Sequence, residues 1–154
     1  MKQWIEAIRQ ASEGQGFTDR AKRTCYEIRN LQLTFSQDYE MPLNHVRRFG
    51  WRFPSNEELE SVFLQSDEAH RYTYASHIQR QLPALVTILK NQSNTRRGIL
   101  YLTDEQHSKD QNHLPCLLSI WVCVRDGKLH LSVYARSIDL LLGLPANLYQ
   151  VSAL

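Results

Sequence analysis

The feature that most narrows the fold is a pair of strand-like runs joined by two residues. Leu117 to Arg125 (LLSIWVCVR) and Lys128 to Arg136 (KLHLSVYAR) flank Asp126-Gly127. A two-residue Asp-Gly link closes an antiparallel hairpin, because glycine accepts the positive φ that so tight a turn requires. Upstream, Gly98 to Thr103 (GILYLT) is an almost continuous apolar run and reads as a further strand.

Helical spacing accounts for much of the rest. Trp4, Ile5, Ile8 and Ala11 fall on one face of a helix over 2–13, which the GQG at 14–16 stops. Ser55 and Glu58 stand at capping-box spacing, predicting a helix over about 56–66. Leu85, Ile88 and Leu89 form the apolar face of a helix over 76–91, or of one that starts afresh at Pro83, a residue suited to a first turn.

Residues 24–35 alternate in two phases, Tyr26 and Ile28, then Leu31, Leu33 and Phe35. That pattern predicts a strand with a bulge at Arg29-Asn30, or two short elements. The Pro-bounded stretch 42–54 has no clear period. Ile138–Leu142 is helical in character, Gly143-Leu144-Pro145 reads as a break, and another helix is expected from near Asn147. The order is helix, strand, helices, strands, helix, an α+β chain. No repeat interrupts it, and residues 1–154 read as a single domain.

Composition sets the outer bounds. With 42% hydrophobic and 22% charged residues the chain can pack a core. A chain of this length buries roughly 68–70% of its unfolded surface, so neither disulfide nor metal is needed as a staple. A net charge of +2 gives no ground for charge-driven binding to nucleic acid or membrane. The start, MKQWIEAIRQ, lacks the apolar core of a signal peptide, and Leu117–Val124, interrupted by Ser119, is too short to cross a bilayer. Cys25, Cys116 and Cys123 are odd in number and form no CxxC, which predicts reduced thiols in a cytoplasmic protein. The six histidines show no HxxxH or Cys/His metal spacing, so no metal is expected.

Three clusters could carry chemistry. Arg96-Arg97 precede the GILYLT strand; a guanidinium fork matches two phosphate oxygens, yet a pair of arginines is also an ordinary solvated strand start. Cys116 follows Pro115 at the start of the next strand. It would become reactive where positive charge stabilises its thiolate, and is otherwise a small core residue, the reading that suits Cys123 and Cys25. Third, Arg136-Ser137 and Asp139 precede Gly143 and Asn147. An Arg, a Ser and backbone N–H groups ahead of a helix can hold one phosphate. The plainer alternative makes Ser137 or Asn147 a helix cap and Asp139 a partner of the helix dipole.

Taken in order, Arg96-Arg97, Pro115-Cys116, the DGKL at 126–129, Arg136-Ser137 with Asp139, and Leu142-Gly143-Leu144-Pro145 with Asn147 resemble the thymidylate synthase family. Residues 96–154 are similar to its catalytic core segment. Arg71-Tyr72-Thr73-Tyr74 is similar to the YTYG segment of smaller archaeal and phage relatives, with Ala75 in place of the glycine. Asp19-Arg20 and Thr24 to Ile28 resemble the segment with the family's early phosphate-binding arginine. Leu117 stands where the family usually has His, and Ala135 where it usually has Gln.

This resemblance implies a thymidylate-synthase-like α+β fold, a mixed β-sheet packed by helices, with a sheet face used for homodimerisation. It implies a C5 methyl- or hydroxymethyltransferase acting on dUMP, less readily dCMP, with 5,10-methylenetetrahydrofolate as one-carbon donor. The alternative is a nucleotide-binding or structural remnant without catalysis. Cys116 would add to C6 of the pyrimidine. Tyr74 would support proton movement at C5. Arg136, Ser137 and Arg20 (or Arg23) would bind the 5′-phosphate, with Arg96 and Arg97 reaching it from the partner subunit. Asp139, Gly143 and Asn147 would contact base or folate, an Asn at 147 suiting uracil. Glu58 and Glu60 are the candidates for a general base. Because Leu154 falls where the family enters its long central helix, the resemblance implies a shortened or remnant form without the ribose-binding HxY or the tail that closes over folate.

Overall fold

The computed structural model describes residues 2–36, 41–50, 52–65, 74–109 and 114–154. Along the chain run α1 (Lys2–Ser12), β1 (Phe17–Thr18), β2 (Thr24–Cys25), α2 (Met41–Arg48), α3 (Asn56–Leu64) and α4 (Ala75–Asn91). There follow β3 (Ile99–Tyr101), α5 (Glu105–Lys109), β4 (Leu117–Arg125), β5 (Lys128–Ala135) and α6 (Gly143–Ser152). The architecture is α+β, as the element order predicts. The chain packs as two compact units, Met1–Phe53 with Asp139–Ala153, and Pro54–Ile138 with Leu154.

The second unit is built on the hairpin. β4 is the centre of a three-stranded sheet, order β3-β4-β5. Ile99 pairs with Trp121, Leu100 with Ile120 and Tyr101 with Ser119; on the other side Arg125 pairs with Lys128 and Leu117 with Ala135. Asp126 and Gly127 both take positive φ, 50° and 69°, the condition for a two-residue turn whose twist matches the strands. The strand pairs among the described residues are antiparallel, and between β4 and β5 the two-residue turn requires it.

Between Leu117 and Ser119 the register slips, leaving Leu118 as an extra residue beside the start of β4. Ile120, Leu100 and Leu117 are buried, and Gly98 fits only because it lacks a side chain: a Cβ there would run into the Val122 carbonyl. β5 differs, with Leu129, Leu131, Val133 and Tyr134 all exposed.

α4 packs on this sheet at β3, and α3 packs on α4. The capping box at α3 forms as its spacing predicts, the Glu58 N–H donating to Ser55 Oγ at 3.2 Å and the Ser55 N–H to Glu58 Oε2 at 2.6 Å. α4 is one helix running through Pro83 rather than starting there. Pro83 removes one helical hydrogen bond, but Ile78 and Leu85 on either side of it are buried and hold the two halves in line. Ile88, expected on the apolar face, is exposed.

In the first unit α1 buries Trp4, Ala7 and Ala11, and the Trp4 indole N–H donates to the Leu140 carbonyl at 2.5 Å. α2 occupies the stretch without a clear period and buries Pro42, Leu43 and Val46. Two expectations fail here. Of residues 24–35 only Thr24–Cys25 form a strand, paired with Phe17–Thr18; Asn30 turns to φ 55° and the remainder is irregular. Nor is 138–142 a helix broken at Gly143. Asp139 Oδ1 accepts the N–H groups of Leu141 and Leu142 at 2.7 and 2.9 Å, making a turn from which α6 starts at Gly143. Pro145 is the third residue of α6, where a missing N–H costs nothing because the first helical N–H groups have no partner in the helix. No described helix is long and apolar enough to cross a membrane.

Candidate functional site

Cys116 lies half-buried between buried Pro115 and the first residue of β4. Three contacts fix the backbone around it. The Arg136 N–H donates to the Cys116 carbonyl at 3.0 Å. The Arg136 side chain turns back over the same stretch, Nε donating to the Pro115 carbonyl at 2.9 Å and Nη2 to the Leu114 carbonyl at 2.7 Å. From the other side the buried Tyr74 hydroxyl accepts the Leu117 N–H at 3.3 Å, while its ring packs edge-on against Phe63 at 5.5 Å. The extra residue, Leu118, follows directly; bulges of this kind re-aim neighbouring side chains and recur beside active sites.

Ser137 does not cap a helix. Its hydroxyl accepts from Arg136 Nη1 at 3.2 Å, and both side chains are exposed. The guanidinium thus spends N–H groups on two carbonyls and a hydroxyl and keeps others facing outward, a geometry that could hold an anion beside Cys116.

Arg96 and Arg97 are exposed in the loop before β3, not on the strand. The Trp121 indole N–H donates to the Arg96 carbonyl at 3.2 Å, and the Arg97 N–H to the hydroxyl of buried Thr95 at 3.1 Å. Trp121 is five positions beyond Cys116 on β4, a separation of roughly 16 Å along a strand.

Arg20, Arg23, Asp139, Gly143 and Asn147 belong to the first unit. Arg20 is exposed at the tip of the β1–β2 turn. Arg23, its alternative, is paired with Asp19 at 2.6 Å; the Arg23 backbone N–H and then its guanidinium hold the Asp19 carboxyl below the usual carboxylate range. Asp139 is exposed and braces the turn before α6. Gly143 is the first residue of α6, and Asn147 lies mid-helix, donating to Oε1 of buried Gln150 at 2.8 Å. Neither Asn147 nor Ser137 is a cap. Arg71, Tyr72 and Thr73 lie outside the described residues. Glu58 serves the α3 capping box, an occupation that its proximity alone did not reveal.

A second cluster in the Pro54–Ile138 unit has no counterpart in the sequence motifs. His77 from α4 meets Asp104 and His107. Burial lowers the His77 pKa; the Asp104 carboxylate opposes that shift, while His107 and Arg80 add to it. Asp104 and His107, three positions apart, were the only local signal; His77 is brought to them by the packing of α4 on β3.

The fold and this geometry define an α+β protein with a cysteine held at a bulged strand start beneath an arginine. A family model described as thymidylate synthase matches residues 55–154, and the chain belongs to the thymidylate synthase family. A Methanosarcina barkeri protein named "Putative thymidylate synthase" is 25% identical over 151 residues, covering 93% of this chain and 69% of that protein. A thymidylate synthase of Corynebacterium aurimucosum is 38% identical over 78 residues, 51% of this chain and 29% of the relative. Thymidylate synthase 1 of Bacillus spizizenii is 38% identical over 74 residues, 48% and 26% respectively. The chain therefore spans about two thirds of the first relative's length and less than a third of the other two.

Proposed function

We propose that the chain binds a pyrimidine deoxynucleotide, dUMP in preference to dCMP, and that Cys116 is its nucleophile. The observation that carries this reading is the Arg136 clamp: one guanidinium both fixes the backbone of Leu114 and Pro115 and keeps N–H groups for a phosphate beside Cys116. In the proposed step Cys116 Sγ bonds to C6 and the C5–C6 electron pair moves toward C5, leaving an enolate-like carbon that attacks a one-carbon unit. The folate nitrogen would keep the electron pair of the C–N bond that breaks, and, once the C5 proton is lost, a hydride from the tetrahydrofolate (leaving dihydrofolate and a C5 methyl) or water (leaving a hydroxymethyl) would add to the C5 methylene as the Cys116 thiolate leaves C6. Tyr74, bonded to Leu117, would keep the nucleophile's strand in place during both changes.

Methylenetetrahydrofolate would supply the one-carbon unit when bound. Asp139, whose Oδ1 accepts both turn bonds from Leu141 and Leu142, would offer Oδ2 to the folate ring or the base. Asn147 would read the base edge, Gly143 would line the same site, and Ser137 and Arg20 would add to the phosphate site.

Arg96 and Arg97 would serve the phosphate of a second subunit. The five positions between Cys116 and Trp121, whose indole holds the Arg96 carbonyl, support that role, and the exposed apolar residues of β5 support a homodimer formed on the sheet. A second reading, binding without turnover, is favoured by Leu117 and Ala135 in the places of the family's usual His and Gln.

Calorimetric titration with dUMP and with dCMP tests the proposal. Saturable dUMP binding that Arg136→Ala abolishes is expected; no heat with either nucleotide would refute it. Turnover lost in Cys116→Ala but with dUMP affinity kept separates catalysis from binding alone. A monomer by sedimentation at micromolar concentration would overturn the trans role of Arg96 and Arg97.

A further inference from the structure

The His77–Asp104–His107 cluster lies outside the proposed nucleotide contacts. His107 Nδ1 is 3.0 Å from Asp104 Oδ1, and His77 Nε2 is 3.9 Å from Asp104 Oδ2. The two imidazole rings are 5.3 Å apart between centres, tilted by 48°. One ligand atom from each of the three residues lies within 4.8 Å of the others. Ligands in a tetrahedral zinc shell, at ~2.0–2.2 Å from the ion, stand about 3.3–3.6 Å apart. Side-chain movements of roughly 1 Å would close the present arrangement to that size.

We propose that His77, Asp104 and His107 form a binding site for a divalent transition-metal ion of the zinc type, with a fourth position left for water. The donor set suits that class: two imidazoles and a single carboxylate match zinc or its first-row neighbours, whereas magnesium and calcium take shells of oxygen. The charges suit it as well, one carboxylate with two imidazoles that bind metal in their neutral form.

The frame around the cluster is already built. Gln81 Nε2 donates to the Tyr101 carbonyl at 2.7 Å and Gln81 Oε1 accepts the Tyr101 N–H at 3.0 Å, tying α4 to β3. The Asp104 N–H reaches His107 Nδ1 and the His107 N–H reaches Asp104 Oδ1, both at 3.2 Å, which sets the spacing of that pair. His77 itself is buried in the first turns of α4. An ion there would clip α4 to the chain between β3 and α5. This inference is independent of the nucleotide reading.

The test is titration of the metal-free protein with Zn²⁺ by calorimetry and with Co²⁺ by visible absorption. One ion per chain is expected, with the strong d–d bands of four-coordinate cobalt and without a thiolate-to-cobalt charge-transfer band. Asp104→Asn, near-isosteric at a partly exposed position, and His107→Gln should each weaken binding at least ~10-fold, the lower range for disturbing a metal site's ligand set. His130→Ala, on exposed β5, should leave affinity unchanged. Circular dichroism of each variant checks that the fold is retained. Affinity equal to wild type in folded Asp104→Asn and His107→Gln, a thiolate band, or no saturable binding would overturn the assignment.

Discussion

Residues 24–35 and residues 117–125 carry similar strand-like patterns, yet only the second is a strand along its length. β4 has a neighbour on each side, β3 and β5, and its apolar residues Leu117, Ile120 and Val122 are buried. The 24–35 stretch has one short partner, two residues of β1, after which Asn30 turns to positive φ. Alternation states which face could be buried; it does not provide a ladder to bond with or a core to face. The irregularity expected at Arg29-Asn30 is present as a bend, while a bulge sits at Leu118, where alternation carried no mark of it.

The contrast can be broken most sharply at the two centres. Ile120→Ala should cost ~2–5 kcal/mol, because it opens a cavity in the middle strand. Leu31→Ala, in the irregular stretch, should stay within about 0.5 kcal/mol. Denaturant unfolding of both variants decides the matter, and similar losses would show that the two stretches are equally structural.

The tight crossing at Gly98 comes next. Gly98→Ala must push the added Cβ against the Val122 carbonyl and should cost ~1–3 kcal/mol, as overpacking does. Hydrogen exchange at Val122, whose N–H donates to the Gly98 carbonyl at 2.7 Å, should quicken with it. A silent Gly98→Ala would mean that β3 and β4 approach less closely.

Turn chemistry gives a smaller effect. Gly127→Val should cost about 1–2 kcal/mol through the left-handed conformation alone, since a Cβ there meets open space. Asn30→Gly relieves the same strain where no ladder depends on it, and its melting temperature should hold or rise slightly. Ser55→Ala removes one half of the α3 cap and should cost about 1 kcal/mol. Thermal melts that ranked Ser55→Ala above Gly98→Ala would reverse the order of local and long-range effects argued here.

For the site, the legible part was the ordered motif. Arg96-Arg97, Cys116, Arg136-Ser137, Asp139, Gly143 and Asn147 could be picked out because backbone-adjacent residues stay adjacent in any fold, and the family model covers the same stretch. What each side chain bonds to was not legible. Asp139 could have been a dipole partner and is instead a turn brace; Glu58, a candidate base, completes a cap.

The sequence by itself determined the β4–β5 hairpin, the extent of α1 to within a residue, the α3 cap and the family. Each of these depends on groups a few residues apart: a Gly that tolerates positive φ, an apolar spacing, a serine three residues from a glutamate. Tertiary structure alone decided that α4 continues through Pro83, that Arg136 closes over Leu114 and Pro115, and that His77 meets Asp104 and His107. The physical reason is that burial and hydrogen bonding across long sequence separations outweigh local preferences of a kcal/mol or so, and those partners are chosen only when the chain packs.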